Sequence, residues 1–295
     1  MEEGYSIGDI AHLTGIKPHT LRMWEQRYGL PTPRRTGRGQ RKYTSDDLKL
    51  LLNVTVLQRN GMRISRIAGM SQDEILGSVE NIVADPEDPH GLIESLLLSM
   101  IELDEGRFER SFASSMLRHG FEDSILKVVF PFMQRIGTLW LTGSVSPAHE
   151  HFVTNLVRRK IHVALDGQHV APNPAMPTVL LFLPPTEEHE LSLLFMHYML
   201  RARGVRSYYF GANVPVESLE VITKGMDFDW FYTVMTTSPR KNAVIELIQD
   251  LRNRFPEQKV AVSGQKVSGV EVADSAVSIL NTHDSLRNFV EMISV

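Results

Sequence analysis

Apolar positions recur along the chain with two different periods, and the change of period divides it. Over residues 6–163, outside 31–43 and 84–91, they fall at three- and four-residue steps, which predicts a run of helices. Beyond that come five short apolar runs, at 178–183, 206–210, 230–235, 259–263 and 276–280. Each is too short for a helix, and helical periodicity resumes between them from about Glu188, Val216 and Lys241 and after the last from about Asp284. Such alternation predicts a doubly wound, flavodoxin-like parallel sheet, with ligands received in the crevice beyond the carboxyl ends of its strands. The βαβ unit spanning Val179 to Gly211 places Glu187, Glu188, His189 and Glu190 where its first strand hands over to its helix. These residues form a candidate site, although the same polar cluster also suits the capping and solvation of a helix start.

The helical half opens with Ser6 to Ile16, a short helix with Ile7, Ile10, Ala11 and Leu13 inward, closed by Gly15. A second helix follows from Lys17, with Pro18 in its first turn and Gly29 past its end. Two helices joined by a glycine-containing turn form a helix-turn-helix, whose second member would present His19, Thr20, Arg22 and Arg27 to DNA. Trp24 and Tyr28 suit the core of so small a domain. From Pro31 to Tyr43, Gly37 and Gly39 permit a tight hairpin carrying Arg34, Arg35, Arg38, Arg41 and Lys42. A basic wing of this kind, with Tyr43 at its end, is expected to hold phosphates and so fix position without reading sequence. Charge sharpens the reading. The net charge of −4 argues against nucleic-acid affinity of the whole protein, yet residues 16–43 hold eight Lys or Arg against Glu25 alone, a local charge of +7.

The segments Ile7-Gly-Asp-Ile-Ala11, Thr20-Leu-Arg-Met-Trp-Glu-Gln-Arg-Tyr-Gly-Leu30 and Arg41-Lys-Tyr-Thr44 resemble the MerR-type winged-helix domain over residues 4–72. The resemblance implies a double-stranded DNA operator as partner. Because one winged helix reads too short a site, a homo-oligomer, dimer or tetramer, is expected on repeated half-sites. The long dimerising helix usual after the wing is not evident. Ala84-Asp-Pro-Glu-Asp-Pro-His-Gly91 is acidic, proline-rich and without period. The expected domains are therefore the winged helix at 1–75, a linker at 76–91, a helical bundle at 92–170 and the α/β domain at 175–295.

Helical stretches at 92–104, 107–118, 121–145 and 148–163 can close into a four-helix bundle. Trp140, nine intervening residues, then Glu150-His151 resembles the helical cap over cobalamin in methionine-synthase-like proteins and in CarH/LitR-type photoreceptor regulators. The resemblance implies that Trp140, Glu150 and His151 line the upper face of a corrin. Taken alone, Trp140 reads as a core anchor and His151 as a buried, satisfied histidine. The matching cobalamin domains carry Asp-x-His-x-x-Gly after their first strand, a Ser/Thr-rich turn after the third and Gly-Gly after the fourth. Here the elements are Glu187-Glu-His189-Glu-Leu-Ser192, Thr236-Thr237-Ser238 and Ser263-Gly264. Carried over, His189 is the lower axial ligand of cobalt, Glu187 its orienting carboxylate, and the other residues receive the nucleotide tail. The implied cofactor is cobalamin, adenosylcobalamin in the light-sensing members, with light as the signal. Leu141 departs from that pattern, since those members have a histidine directly after the cap tryptophan.

Three functions compete. The first is a transcriptional regulator that senses cobalamin. The second is a cofactor-free MerR-type regulator that uses the same module for oligomerisation or partner binding. A corrinoid-carrying enzyme subunit is the third, and it leaves the winged helix without purpose. No Walker loop, nucleophile elbow or zinc-protease spacing occurs, and Asp227 and Asp229 suit turn solvation, so no enzyme is expected. Zero cysteine excludes thiolate chemistry and disulfides and accords with a cytoplasmic protein. No apolar run approaches the roughly 18 residues that span a bilayer, so no membrane partner is expected.

Overall fold

A computed structural model describes residues 4–35, 39–83, 89–141, 145–169, 171, 173–185, 187–237 and 242–294. The chain forms two compact units, Met1–Leu156 and Val157–Val295.

In the first unit, α1 (Ile7–Thr14) and α2 (Pro18–Tyr28) form the helix-turn-helix. The start of α1 is written locally: Ser6 Oγ accepts from the Asp9 amide (3.2 Å) while the Asp9 carboxylate accepts from the Ser6 amide (2.7 Å). Gly15 ends it in the left-handed region at φ 73°, which turns the chain into α2. Strands β1 (Arg34–Arg35) and β2 (Arg41–Lys42) pair antiparallel as the wing, with Arg34 opposite Lys42 and Arg35 opposite Arg41. Thr44 and Asp47 form a second capping box that starts α3 (Ser45–Arg59), followed by α4 (Ile64–Ile67) and α5 (Gln72–Val83).

Four helices follow, α6 (Pro89–Glu102), α7 (Glu105–Ser124), α8 (Phe130–Leu141) and α9 (Pro147–Asp166), with a π turn at Ile125–Val129 between α7 and α8. α7 kinks at Gly120, whose φ of 72° only glycine adopts readily, so the break falls between the expected helices 107–118 and 121–145, and the second stays helical through the π turn to Leu141. The expected linker at 76–91 is helical up to Val83 and again from Pro89; residues 84–88 lie outside the described ones. The reason is that Ile75 and Val79 are buried, which holds α5 on α3, and Pro89 opens a helix where its missing amide donor costs nothing.

The second unit contains a five-stranded parallel sheet of β3 (Thr178–Phe182), β4 (Arg206–Gly211), β5 (Trp230–Val234), β6 (Lys259–Ser263) and β7 (Val277–Leu280). Their spatial order is β4-β3-β5-β6-β7. Helices α10 (Glu190–Ala202), α11 (Val216–Thr223), α12 (Ala243–Arg254) and α13 (His283–Ile293) connect and flank them. Every residue of β5 is buried, as expected of a central strand covered on both faces. On one face Leu180, Phe231, Val260 and Val262 meet Leu219, Val244 and Leu251. On the other Phe289 packs edge-on against Trp230 at 5.1 Å between ring centres. The order reverses between β3 and β5, which places the crevice of the sheet at their carboxyl ends.

Candidate functional site

Two segments meet at that crevice, the loop after β3 and the turn after β5. Glu187, 2 % exposed, links them. Its Oε2 accepts from the amides of Thr236 (2.6 Å) and Thr237 (2.9 Å), residues 49 and 50 positions further along the chain. Its Oε1 accepts from the His189 amide (3.1 Å) and the Thr237 hydroxyl (3.3 Å), and lies 2.7 Å from His189 Nδ1. Burial alone would raise the carboxyl of Glu187, but the hydrogen bonds from His189 and from the Thr237 and Thr236 amides outweigh it and bring the pKa down to about 2. An ionised carboxylate only accepts, so the proton of that contact belongs to Nδ1. Nε2 is then the nitrogen His189 offers as a ligand. The ring is largely exposed, which suits a ligand to something outside the fold.

Among the described residues no group of three or more His, Asp or Glu could hold a metal ion. Of the remaining residues expected at this site, Ser192 is half-buried on α10, Thr236 is half-buried and Thr237 exposed. Ser238 lies outside the described residues. Ser263 departs from expectation: it is buried, and its hydroxyl lies 2.6 Å from that of fully buried Tyr232, so it serves the core rather than a ligand. Gly264 is needed by the fold itself. At φ 106° a Cβ there would stand 2.4 Å from the Met235 carbonyl oxygen.

Sequence reasoning overlooked a neighbouring pair, Tyr209 on β4 and Glu190 at the start of α10, whose hydroxyl and Oε1 are 2.9 Å apart. Burial, then the charge of Glu190 and this hydrogen bond, raise the Tyr209 hydroxyl well above its ordinary value. Nothing in the local pattern of β4 pairs that tyrosine with a residue 19 positions away.

In the first unit, His151 is exposed rather than buried, with Nδ1 3.0 Å from Glu150 Oε2, and Glu150 Oε1 accepts from Thr154 Oγ1 at 2.6 Å. Trp140 belongs to α8, but its side chain lies outside what is described. On the recognition helix α2, Leu21 and Trp24 are buried, while His19, Arg22 and Arg27 are exposed and Thr20 half-buried. Arg34 and Arg35 of the wing are exposed, and Arg38 lies outside the described residues. Arg41 and Lys42 are tethered. Arg41 Nε donates to Glu25 of α2 at 2.6 Å, and Lys42 Nζ to the Gly4 carbonyl at 3.0 Å. Tyr43 is a correction to the expected DNA face: it is 1 % exposed and its backbone pairs with Tyr5, so it closes the small core. An aromatic at the end of an otherwise basic stretch was the available signal.

Residues 5–74 match the model of the MerR HTH family regulatory protein, and residues 92–164 match that of the B12 binding domain. The HTH-type transcriptional repressor CarH of Myxococcus xanthus is 31% identical over 246 residues, covering 80% of this chain and 81% of that protein. The chain belongs to the MerR-type transcriptional regulators that carry a B12-binding domain. Within this family the HTH-type transcriptional repressor CarA of Myxococcus xanthus is 27% identical over 220 residues, covering 72% of this chain and 70% of that protein. The monomethylamine corrinoid protein of Methanosarcina barkeri shares the fold, with a TM-score of 0.51 at 14% identity over 66% of this chain and 94% of that one. Family membership supports DNA as a partner, as MerR-type regulators bind DNA. No helix among the described residues is long and apolar enough to cross a membrane.

Proposed function

We propose that this regulator binds an operator through His19, Thr20, Arg22, Arg27, Arg34 and Arg35, and that a cobalamin held through Nε2 of His189 controls that binding. The observation that carries the reading is the 2.7 Å contact between Glu187 and His189 Nδ1, anchored on the opposite segment through the Thr236 and Thr237 amides. It orients the imidazole before any ligand arrives, which lowers the cost of ordering it on binding. Adenosylcobalamin is the proposed form, because a corrinoid so substituted supplies a cobalt–carbon bond that light breaks. Operator binding is proposed to require an oligomer, since one winged helix spans too few base pairs for specificity.

The test is the absorption spectrum of the protein after incubation with adenosylcobalamin in the dark and desalting, repeated after green illumination. Retained corrin bands with the displaced-base, histidine-ligated spectrum are expected, lost in His189→Ala, and altered by light in the wild type. A colourless wild-type protein would establish instead a cofactor-free regulator. Bands that persist unchanged under light would retain the cobalamin and remove the light signal.

A further inference from the structure

A second polar centre lies wholly within the first unit, away from the residues considered so far. Glu94 of α6 is 0% exposed, in the apolar stretch Leu92-Ile93-Glu94-Ser95-Leu96. Its Oε1 accepts from Arg59 Nη1, the last residue of α3, at 2.8 Å, and from Arg135 Nη1 of α8 at 2.7 Å. Its Oε2 is buried with no partner among the described residues. The other arm of Arg135 reaches the helix-turn-helix, where Nη2 donates to the Leu13 carbonyl at 2.6 Å. Leu13 carries one of the carbonyls that α1 leaves unpaired at its end, two residues before the turn at Gly15 that sets the start of α2. Desolvating a carboxylate costs several kcal/mol unless its partners stay in place, so this centre resists separation of the helices it joins.

We infer that Glu94 and Arg135 form a joint that positions the recognition helix, passing any displacement of α8 to the turn between α1 and α2. Arginine suits the task because one planar group serves the carboxylate and the carbonyl together, which a lysine ammonium cannot do in the same geometry. Trp140 follows Arg135 by five residues on α8, about 7.5 Å of helix. That ligand control would enter through this end of α8 rests on the cobalamin reading above; the joint itself does not.

The experiment uses the full chain, with and without adenosylcobalamin, and a DNA duplex selected from a random pool by the wild-type protein in the form that binds. Arg135→Lys, and Glu94→Asp with its shorter reach, are compared with wild type in affinity for the selected duplex and for a scrambled one. Amide exchange is followed at Gly15, Ile16 and Lys17, with circular dichroism as the check on folding. In a folded variant, exchange at the turn should rise and affinity for the selected duplex should fall by about tenfold, equivalent to about 1.4 kcal/mol, with scrambled DNA bound as before. Unchanged exchange and affinity in both folded variants would overturn the joint, as would an equal loss on both duplexes. Because amide exchange at the turn is read on the cofactor-free chain, that result and the spectrum described above can fail separately.

Discussion

Replacing Glu187 by Gln tests the core of the candidate site. In the wild type five donors converge on one carboxylate: the amides of Thr236, Thr237 and His189, the Thr237 hydroxyl and His189 Nδ1. Glutamine offers one carbonyl oxygen and one NH2, so whichever way it turns, some of these donors face another donor. The magnitude follows from linkage. A carboxyl brought from 4.5 to about 2 on folding contributes about 3 kcal/mol while it is ionised. The sign is that of a depressed acid: the contribution is complete above pH 4.5 and is lost as pH falls towards 2. Native-state amide exchange at Thr236 and Thr237 reads it locally, without assuming that a chain of two units unfolds in one step. Near pH 6, Glu187→Gln should lower protection at these amides by about a hundredfold, for roughly 3 kcal/mol, and the gap should narrow by pH 3. In nitrogen-15 spectra His189 should also lose its fixed Nδ1–H tautomer. Equal protection in the two proteins at pH 6, or a gap independent of pH, would refute the assignment of Glu187 as the anchored, ionised partner of His189.

The wing arginines should separate by role. Arg35→Ala should reduce the slope of log affinity against log salt by about 0.9, one phosphate contact, whereas Arg41→Ala should change the slope less and weaken binding by freeing the wing from Glu25; filter binding across salt concentrations measures both. Gly264→Ala should destabilise the second unit by about 3 kcal/mol or more, because the added Cβ meets a Met235 carbonyl whose strand is itself bonded to Ser263. Chemical denaturation showing a loss under about 0.5 kcal/mol would mean that the turn after β6 can move aside.

Much of the architecture was legible because its causes are local. The strands start and stop within two residues of the apolar runs, and the βαβ alternation with its crevice follows from run length and period. Ser6 with Asp9 and Thr44 with Asp47 announce helix starts through bonds that close over three residues. Local signals also met tertiary demands. Pro89 opens α6, which buries Leu92 and Glu94 in the first unit, while residues 84–88 of the expected linker lie outside the described ones. Tyr43 and Arg41 belonged to a basic stretch, but one closes a small core and the other is tied to α2.

By itself, then, the sequence determined the class of each half, the basic helix and wing, and the presence of one histidine at the mouth of the parallel sheet, since composition, period and capping act over a few residues. Only the tertiary structure decided which side chains serve the site and which serve the fold. Glu187 acquires its low pKa from His189 together with amides some fifty residues away, Ser263 turns inward to Tyr232, and Glu94 collects two arginines from α3 and α8. Those outcomes depend on burial and on which segments chain folding makes neighbours, and a buried polar atom takes whatever partner reaches it, however remote in sequence.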